Sequence, residues 1–178
     1  MLKRALPRGF TLIELMIALA VLAFVLLIAY PTFVTLLANL RVRSVADGVL
    51  SGLQQARSEA LKRNMAVTFS LDPASGVGGG WQLRLPDNTV LQSKASAEGG
   101  LVEVMMAGGN ADIVFDNLGR RLLPVAPPAV LDVDVSNPGV DACETAGGSV
   151  RCLRVTVPVG GGVRLCDPRR PAGDPQAC

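Results

Sequence analysis

An uninterrupted apolar run near the N-terminus restricts the folds open to this chain. Residues 15–40 carry no charge, and this run is longer than the about 20 residues that a helix needs to cross a bilayer. Glu14 precedes the run directly, and charged side chains in a membrane usually have a partner and a function because burying them is costly. Lys3, Arg4 and Arg8 precede Glu14, so the positive-inside bias predicts a cytoplasmic N-terminus.

Two simpler interpretations of this segment are possible alternatives. A secretory signal peptide has an apolar region of about 7–15 residues closed by small residues. The run here is longer, contains Glu14 near its start and has no such cleavage pattern. An ordinary signal anchor, with Glu14 tolerated near the membrane surface, is the second alternative.

The residues around Glu14 carry a recognisable motif. Residues 8–15 read Arg-Gly-Phe-Thr-Leu-Ile-Glu-Leu, which resembles the processing site of type IV prepilins and type II secretion pseudopilins. The resemblance implies that a prepilin peptidase cuts between Gly9 and Phe10 and methylates the new amine of Phe10. It also implies that Glu14 pairs with the Phe10 amine of a neighbouring subunit during assembly, since opposite charges attract strongly in low dielectric. Pairing within one helix stays an alternative.

The composition argues against catalysis. The chain has no histidine, which removes Ser-His-Asp and Cys-His nucleophile arrangements, histidine zinc sites and the commonest general base. The fifteen carboxylates are scattered, and no pair stands out as a catalytic site. We therefore predict a protein that is not an enzyme and needs neither cofactor nor metal. Without residues 1–9 the chain has 14 basic and 15 acidic residues, so its overall charge does not indicate nucleic-acid binding.

All four cysteines lie near the C-terminus, at Cys143, Cys152, Cys166 and Cys178. An even number in a domain outside the cytoplasm indicates disulfides, and no Cys-x-x-Cys pair supports the zinc alternative. Of three possible connectivities we favour Cys143–Cys152 and Cys166–Cys178, because each closes a short loop rich in Gly, Pro or Asp. Each loop closure should stabilise the fold by about 3 kcal/mol.

The helix is predicted to continue beyond the membrane. Apolar residues recur at three- and four-residue spacing, which indicates one buried helical face, and Asn64 is the expected stop. Pro31 should kink or locally melt the helix. Gly48 and Gly52 are expected to mark close packing against the domain rather than a hinge. The repeating apolar positions are Val42, Val45, Ala46, Val49, Leu53, Ala56 and Ala60.

After Met65 the apolar period changes from helical to two, which predicts strands. We expect an antiparallel sheet that buries one face against the helix. Strands are predicted near residues 67–71, 81–85, 89–91, 101–106, 112–115, 120–125, 130–135, 153–157 and 163–166.

Together these features predict an α+β, type IV pilin-like fold, with a long N-terminal helix packed on an antiparallel β-sheet domain. The predicted divisions are a cleaved leader (1–9), a membrane and assembly helix (10–40), its amphipathic continuation (41–64) and a β domain (65–178).

Further segments of the chain resemble one particular group within this family. The helix end Ala-Arg-Ser-Glu-Ala at residues 56–60, Trp81 and residues 113–120 are similar to the GspH/FimT group of minor pilins and pseudopilins. The tail at residues 165–178 resembles pilus-associated FimT/FimU-type members. We therefore expect a minor pilin that is processed by prepilin peptidase and helps to start type IV pilus assembly at the tip. A type II secretion pseudopilin of the GspH kind and a FimT-like DNA-binding pilin for DNA uptake are the alternatives.

The DNA alternative depends on a basic C-terminal region. DNA-binding members resemble one another in a Gly-Arg-x-Arg element, but Gly162 replaces its first arginine here. A solvated basic edge that discourages strand pairing is the simpler interpretation. The candidate phosphate-binding residues are Arg151, Arg154, Arg164, Arg169 and Arg170.

The resemblance also implies partners and a location. The partners are other pilins through the N-terminal helix, prepilin peptidase, the inner membrane and, in the third alternative, DNA. We expect a single-pass inner-membrane protein with a periplasmic domain that later enters a pilus or pseudopilus.

Overall fold

A computed structural model describes residues 9–109, 111–122 and 130–178. One long helix, α1, runs from Leu12 to Arg63. It ends at Asn64, whose left-handed φ of 52° closes the helix, with its backbone N–H donating to the Ala60 carbonyl. Asparagine is one of the few residues besides glycine that adopts this conformation readily. The predicted stop at Asn64 is confirmed.

The helix is continuous through Pro31, so the alternative of local melting at this residue was wrong. Proline removes only one backbone donor, and the helical residues on either side keep the remaining pattern. The Thr35 hydroxyl, 3.1 Å away, donates to the Pro31 carbonyl. Thr35 thereby adds a local hydrogen bond to the turn that follows the proline.

In the part of the chain that the structure describes, eight strands follow α1 and form two antiparallel four-stranded sheets rather than the single sheet expected. The first sheet has the order β3-β2-β1-β5 and the second β4-β6-β7-β8. Alternation shows which side of a strand is buried, but it does not show which strands pair. The strands are β1 (Val67–Leu71), β2 (Trp81–Arg84), β3 (Val90–Lys94), β4 (Glu103–Met106), β5 (Asp112–Phe115), β6 (Val130–Ser136), β7 (Leu153–Pro158) and β8 (Arg164–Cys166).

The strand predicted near residues 120–125 is seen only at its beginning. Arg121 forms an isolated antiparallel bridge with Phe115, and the Leu122 N–H donates to the Val114 carbonyl at 2.8 Å. Residues 123–125 lie outside the described residues. The remaining predicted strands are present, with ends that differ by a few residues.

The core lies where α1 contacts strands of both sheets. All seven repeating apolar positions of the predicted helical face are buried. Gly52 faces the rings of Phe69 and Trp81, and an added Cβ there would lie 2.6 Å from Trp81 Cε2. Close packing at Gly52 is therefore confirmed, because only a residue without a side chain lets the helix approach these rings.

Two disulfides close the C-terminal region, Cys143–Cys152 and Cys166–Cys178. The pairing favoured from the sequence is therefore the one found in the structure. The first closes the loop before β7, and the second attaches the end of the chain to β8. Asp167 N–H also donates to the Gln176 carbonyl at 2.8 Å, so the terminal loop lies against the sheet edge.

Candidate functional site

The first turn of α1 contains a reciprocal cap between Thr11 and Glu14. The Glu14 carboxylate accepts from the Thr11 backbone N–H and hydroxyl, both at 3.1 Å. The Thr11 hydroxyl in turn accepts from the Glu14 N–H at 3.3 Å. This capping box satisfies donors that a helix start leaves unpaired. In the single chain Glu14 is thus held by its own Thr11, one residue away from the exposed Phe10.

The side chains of α1 that follow Glu14 form an exposed apolar surface. Every residue from 9 to 33 is exposed, and the helix is long and apolar enough to cross a membrane by length and composition. So large an apolar area in water would be unfavourable. A surface of this kind is suited to an apolar environment rather than to water.

Asn39 marks where this helix meets the β domain. Its side-chain oxygen accepts from the Arg151 backbone N–H at 2.8 Å, and the neighbouring Ala38 is buried. The domain therefore begins to cover α1 two residues before the end of the apolar run at Leu40. The exposed apolar part of α1 is correspondingly shorter than residues 10–40.

The five candidate arginines lie near one another but do not form an uncompensated basic patch. Arg151 donates twice to Asp167, at 2.6 and 2.8 Å. Arg154 lies across the outer face of the second sheet, where it binds Asp134 at 2.7 Å and Asp132 at 3.1 Å. The hydrogen bond that Arg154 donates to Asp134 raises the pKa of the Arg154 guanidinium, against the opposing effect of burial.

The other three arginines are more exposed. Arg169 pairs with Glu144 at 2.6 Å, and Arg170 pairs with Asp174 at 3.0 Å. Arg164 donates to the Ala177 carbonyl at 3.2 Å. Within the described residues, Arg164 alone of the five has no carboxylate within ion-pair distance.

Asp167 is the centre of this arrangement. It is buried and accepts from the Arg169 backbone N–H as well as from Arg151. Burial alone would raise the pKa of its carboxyl, but the Arg169 N–H and the Arg151 and Arg170 guanidinium groups hold the pKa below its usual value of 3.8. A phosphate approaching this region would have to compete with carboxylates already in place.

Two protein-family models match this chain. The model for the prokaryotic N-terminal methylation motif matches residues 5–30, which include Gly9, Phe10 and Glu14. The model for the type II transport protein GspH matches residues 45–161, more than half of the chain.

The chain belongs to the GspH family.

Solved structures show the same fold. Two crystal structures of the type IV minor pilin FimU from Pseudomonas aeruginosa match this GspH-family chain. One is 19% identical, covers 77% of this chain and 94% of FimU, and has a TM-score of 0.56. The other is 20% identical, covers 76% and 98%, and has a TM-score of 0.53. A comparison with curated proteins found no match.

These findings confirm the predicted family and fold class. The GspH-family chain is pilin-like, with a methylation motif and an apolar N-terminal helix suited to membrane anchoring. Pilin-family proteins are structural subunits. The cleavage at Gly9, the methylation of Phe10 and the roles of Glu14 and the arginines stay predictions.

The sequence patterns did not lead to a prediction of the polar pairings made by Arg154, Asn39 and Asp167 in this GspH-family chain. Asp132 and Asp134 alternate on one strand, so they share its outer face, and this spacing was a usable signal for a cross-strand arginine. Asn39 had a weaker signal, as a polar residue in the last turn of an apolar run. Nothing local indicated that Asp167 would collect several donors.

Proposed function

We propose that this chain is a minor subunit of a type IV pilus that is cut after Gly9, methylated at Phe10 and assembled at the tip to start the filament. The observation that carries the proposal is the exposed apolar surface of α1 with Glu14 at its first turn. The methylation motif and the FimU-like fold support it.

The exposed helix and Glu14 act together in this proposal. Lipid covers the apolar side chains before assembly, and the helices of other pilins replace lipid in the filament. Cutting after Gly9 gives Phe10 a positive amine. Glu14 then exchanges its own Thr11 donors for the amine of a neighbouring subunit, which neutralises two charges in a low-dielectric environment.

Variants of Glu14 and Thr11 separate the assembly role from the capping role. We expect Glu14→Ala to insert into the membrane normally but to be strongly depleted from sheared filaments. Thr11→Ala, the matched control, loses the hydroxyl cap but keeps the carboxylate and should be incorporated. Immunoblots of membrane and filament fractions provide the measurement. Wild-type amounts of Glu14→Ala in filaments would contradict the proposal.

Processing is tested on the mature protein. Mass spectrometry should find a chain that begins at methylated Phe10 in cells with active prepilin peptidase. A chain that retains Met1 in those cells would exclude this maturation.

A type II secretion pseudopilin is the second candidate, favoured by the description of the matching family model. Deleting the gene for this chain distinguishes the two systems. If the chain is a pilus subunit, we expect loss of surface pili with normal protein secretion. If it is a pseudopilin, we expect loss of protein secretion with normal surface pili.

A further inference from the structure

The two sheets have four edge strands, and other parts of the chain cover three of them. The strand order places β3 and β5 at the edges of the first sheet and β4 and β8 at the edges of the second. Covering a sheet edge is one way in which native proteins keep it from pairing with other molecules. Single bridges provide this cover on β4, on β5 and directly after β8, namely Val77 with Glu103, Phe115 with Arg121 and Asp167 with Ala177.

The remaining edge strand, β3, has no such cover. In the part of the chain that the structure describes, β3 pairs only with β2, and no backbone hydrogen bond reaches residues 90–94 from another segment. Every second residue of an edge strand directs its N–H and C=O away from the neighbouring strand. β3 therefore presents unpaired backbone donors and acceptors, and its first residue, Val90, is 50% exposed.

The sequence of β3 offers little protection for this edge. The strand contains no proline, and Lys94 is its only charged residue. Lys94 lies directly opposite the buried Trp81, so the two side chains share the inner face of the sheet. The Lys94 ammonium group lies over Gly48 of α1. The charge of β3 is therefore beneath the sheet, and the edge itself is open to a further strand.

A groove of about 260 Å³ lies between this strand and α1. Gln55, Glu59 and Arg63 line its helix side, and Leu91 and Gln92 line its strand side. Among the described residues, the amide oxygen of Gln55 is buried and accepts no hydrogen bond. The groove thus combines an apolar contact with an unused acceptor beside the open edge.

The charges around the groove favour an acidic occupant. Lys62 and Arg63 share one carboxylate, that of Glu59, at 3.5 and 2.6 Å. Lys94 has Glu98 at 4.0 Å. Three cations therefore face two carboxylates, which leaves one net positive charge beside β3. Complementary charge across an interface favours the correct partner and orientation.

We propose that β3 is the docking edge for an extended, acidic segment of a different protein, which adds a fifth strand to the first sheet and lies along the groove beside α1. Its backbone bonds to the open side of β3, an apolar side chain packs on Leu91, and a carboxylate faces Arg63. In strand addition the main-chain hydrogen bonds provide affinity, and pockets for alternate side chains provide specificity.

A second copy of this chain fits the edge less well. Within the described ranges it could offer only its own β3 as an uncovered strand edge, and that pairing would bring the two positively charged grooves together. Like charges across an interface are unfavourable. The inference goes beyond the proposed function and does not depend on it, because neither the edge nor the groove includes Gly9, Phe10 or Glu14.

Photocrosslinking in cells identifies the docked segment. A photoactivatable p-benzoylphenylalanine replaces Val90 in the full chain, and mass spectrometry identifies the peptide joined to it. We expect a segment of a different protein that has apolar residues at alternate positions and at least one Asp or Glu. The same probe at Met105, which is 58% exposed on the covered strand β4, should not join that segment.

A synthetic peptide with the sequence of the joined segment tests how it binds. Added to the full chain in detergent, it should slow amide hydrogen exchange in residues 90–94 several-fold. Methylating the peptide nitrogens that face β3 should abolish this protection, because it removes the bonding N–H groups. Methylating the alternate nitrogens, which face away, is the matched control and should leave the protection in place.

A charge placed at the edge tests the preference for acidic segments. Gln92 is exposed and lines the groove. Gln92→Glu should weaken binding of the same peptide several-fold, and more so at low salt. Gln92→Lys, the matched control, should bind it at least as tightly as the wild type. Equal weakening by both variants would contradict the charge preference.

Other outcomes would overturn strand addition itself. The inference is wrong if the probe at Val90 joins no protein, or joins only a second copy of this chain. It is also wrong if the peptide protects residues 90–94 equally well after methylation on either side. None of these results affects the proposed function, which is tested by processing at Gly9 and by entry of the chain into filaments.

Discussion

At the scale of single residues, two glycines of α1 differ in what they face. Gly52 faces the rings of Phe69 and Trp81, whereas an added Cβ at Gly48 would meet only the flexible end of Lys94. A rigid aromatic neighbour cannot move aside, but a lysine side chain can. The two positions therefore respond differently to the same substitution.

We expect Gly52→Ala to lower the free energy of unfolding by about 1–3 kcal/mol, since overpacking forces the helix away from the rings. Gly48→Ala, the matched control, should be neutral or stabilising by up to about 1 kcal/mol from helix propensity. Denaturant unfolding of the full chain in detergent, followed by Trp81 fluorescence, measures both. Equal effects of the two variants would show that packing at Gly52 is not tight.

Asp167 is a second informative residue, because its carboxylate is buried and accepts several donors. Its pKa in the folded state lies below the usual value of 3.8. The stabilisation is therefore fully present above that value and is lost as pH falls through the folded-state pKa.

We expect Asp167→Asn to lower the free energy of unfolding at neutral pH by about 1.5–3 kcal/mol, the range for hydrogen bonds to charged groups. Below pH 3.8, the stability of the variant should also fall less steeply with decreasing pH than that of the wild type. Measuring the free energy of unfolding from about pH 2 to about pH 7 tests both expectations. Asp47→Asn, in an exposed pair with Arg43, serves as the control. A variant whose stability keeps the wild-type pH dependence would contradict the assignment.

At the scale of elements, α1 has two parts with different surroundings. Its first part exposes apolar side chains, and its second part packs one buried face against strands of both sheets. One helix thus provides both the exposed apolar segment and a central element of the β domain's core. Any change in its direction near Asn39 would change how the β domain is held relative to that apolar segment.

The disulfides act on the C-terminal elements. Replacing either pair, Cys143 with Cys152 or Cys166 with Cys178, by serine should lower the free energy of unfolding by about 2–4 kcal/mol. Only loss of Cys166–Cys178 should expose the terminal loop to proteases, because that bond attaches it to β8. Thermal unfolding and limited proteolysis with mapping of the cut sites provide the measurements. Cleavage first within residues 143–152 in that variant would be the contrary result.

At the scale of the whole molecule, the positions of the charged side chains matter more than the net charge. The arginines that first suggested DNA binding mostly pair with carboxylates of the same region. This distribution fits contact with another protein subunit better than contact with a phosphate backbone.

DNA binding by this chain should accordingly be weak. We expect a gel-shift assay with duplex DNA to give only non-specific binding, with a dissociation constant no tighter than about 10⁻⁶ M at physiological salt. Replacing Arg164, Arg169 and Arg170 together should change it little. Tighter binding that these replacements abolish would instead support the DNA-uptake alternative.

Much of this protein follows from spacing along the chain. The apolar run, the position of Glu14, the buried helical face and the stop at Asn64 depend on residues within a few turns of one another. The disulfide pairs close short loops, with separations of 9 and 12 residues. Local spacing constrains local geometry, so the pattern of residue types was sufficient for these features.

The remaining features depend on residues that folding brings together. The sequence does not show how the strands divide into two sheets. Nor does it show that Asn39 bonds to Arg151 across 112 positions. The alternation of Asp132 and Asp134 indicated a cross-strand cation but did not identify Arg154, 20 to 22 positions away. Strand pairing and ion pairing are set by which surfaces meet in the folded chain. For that reason a cluster of arginines in the sequence became, in three dimensions, a largely neutralised surface.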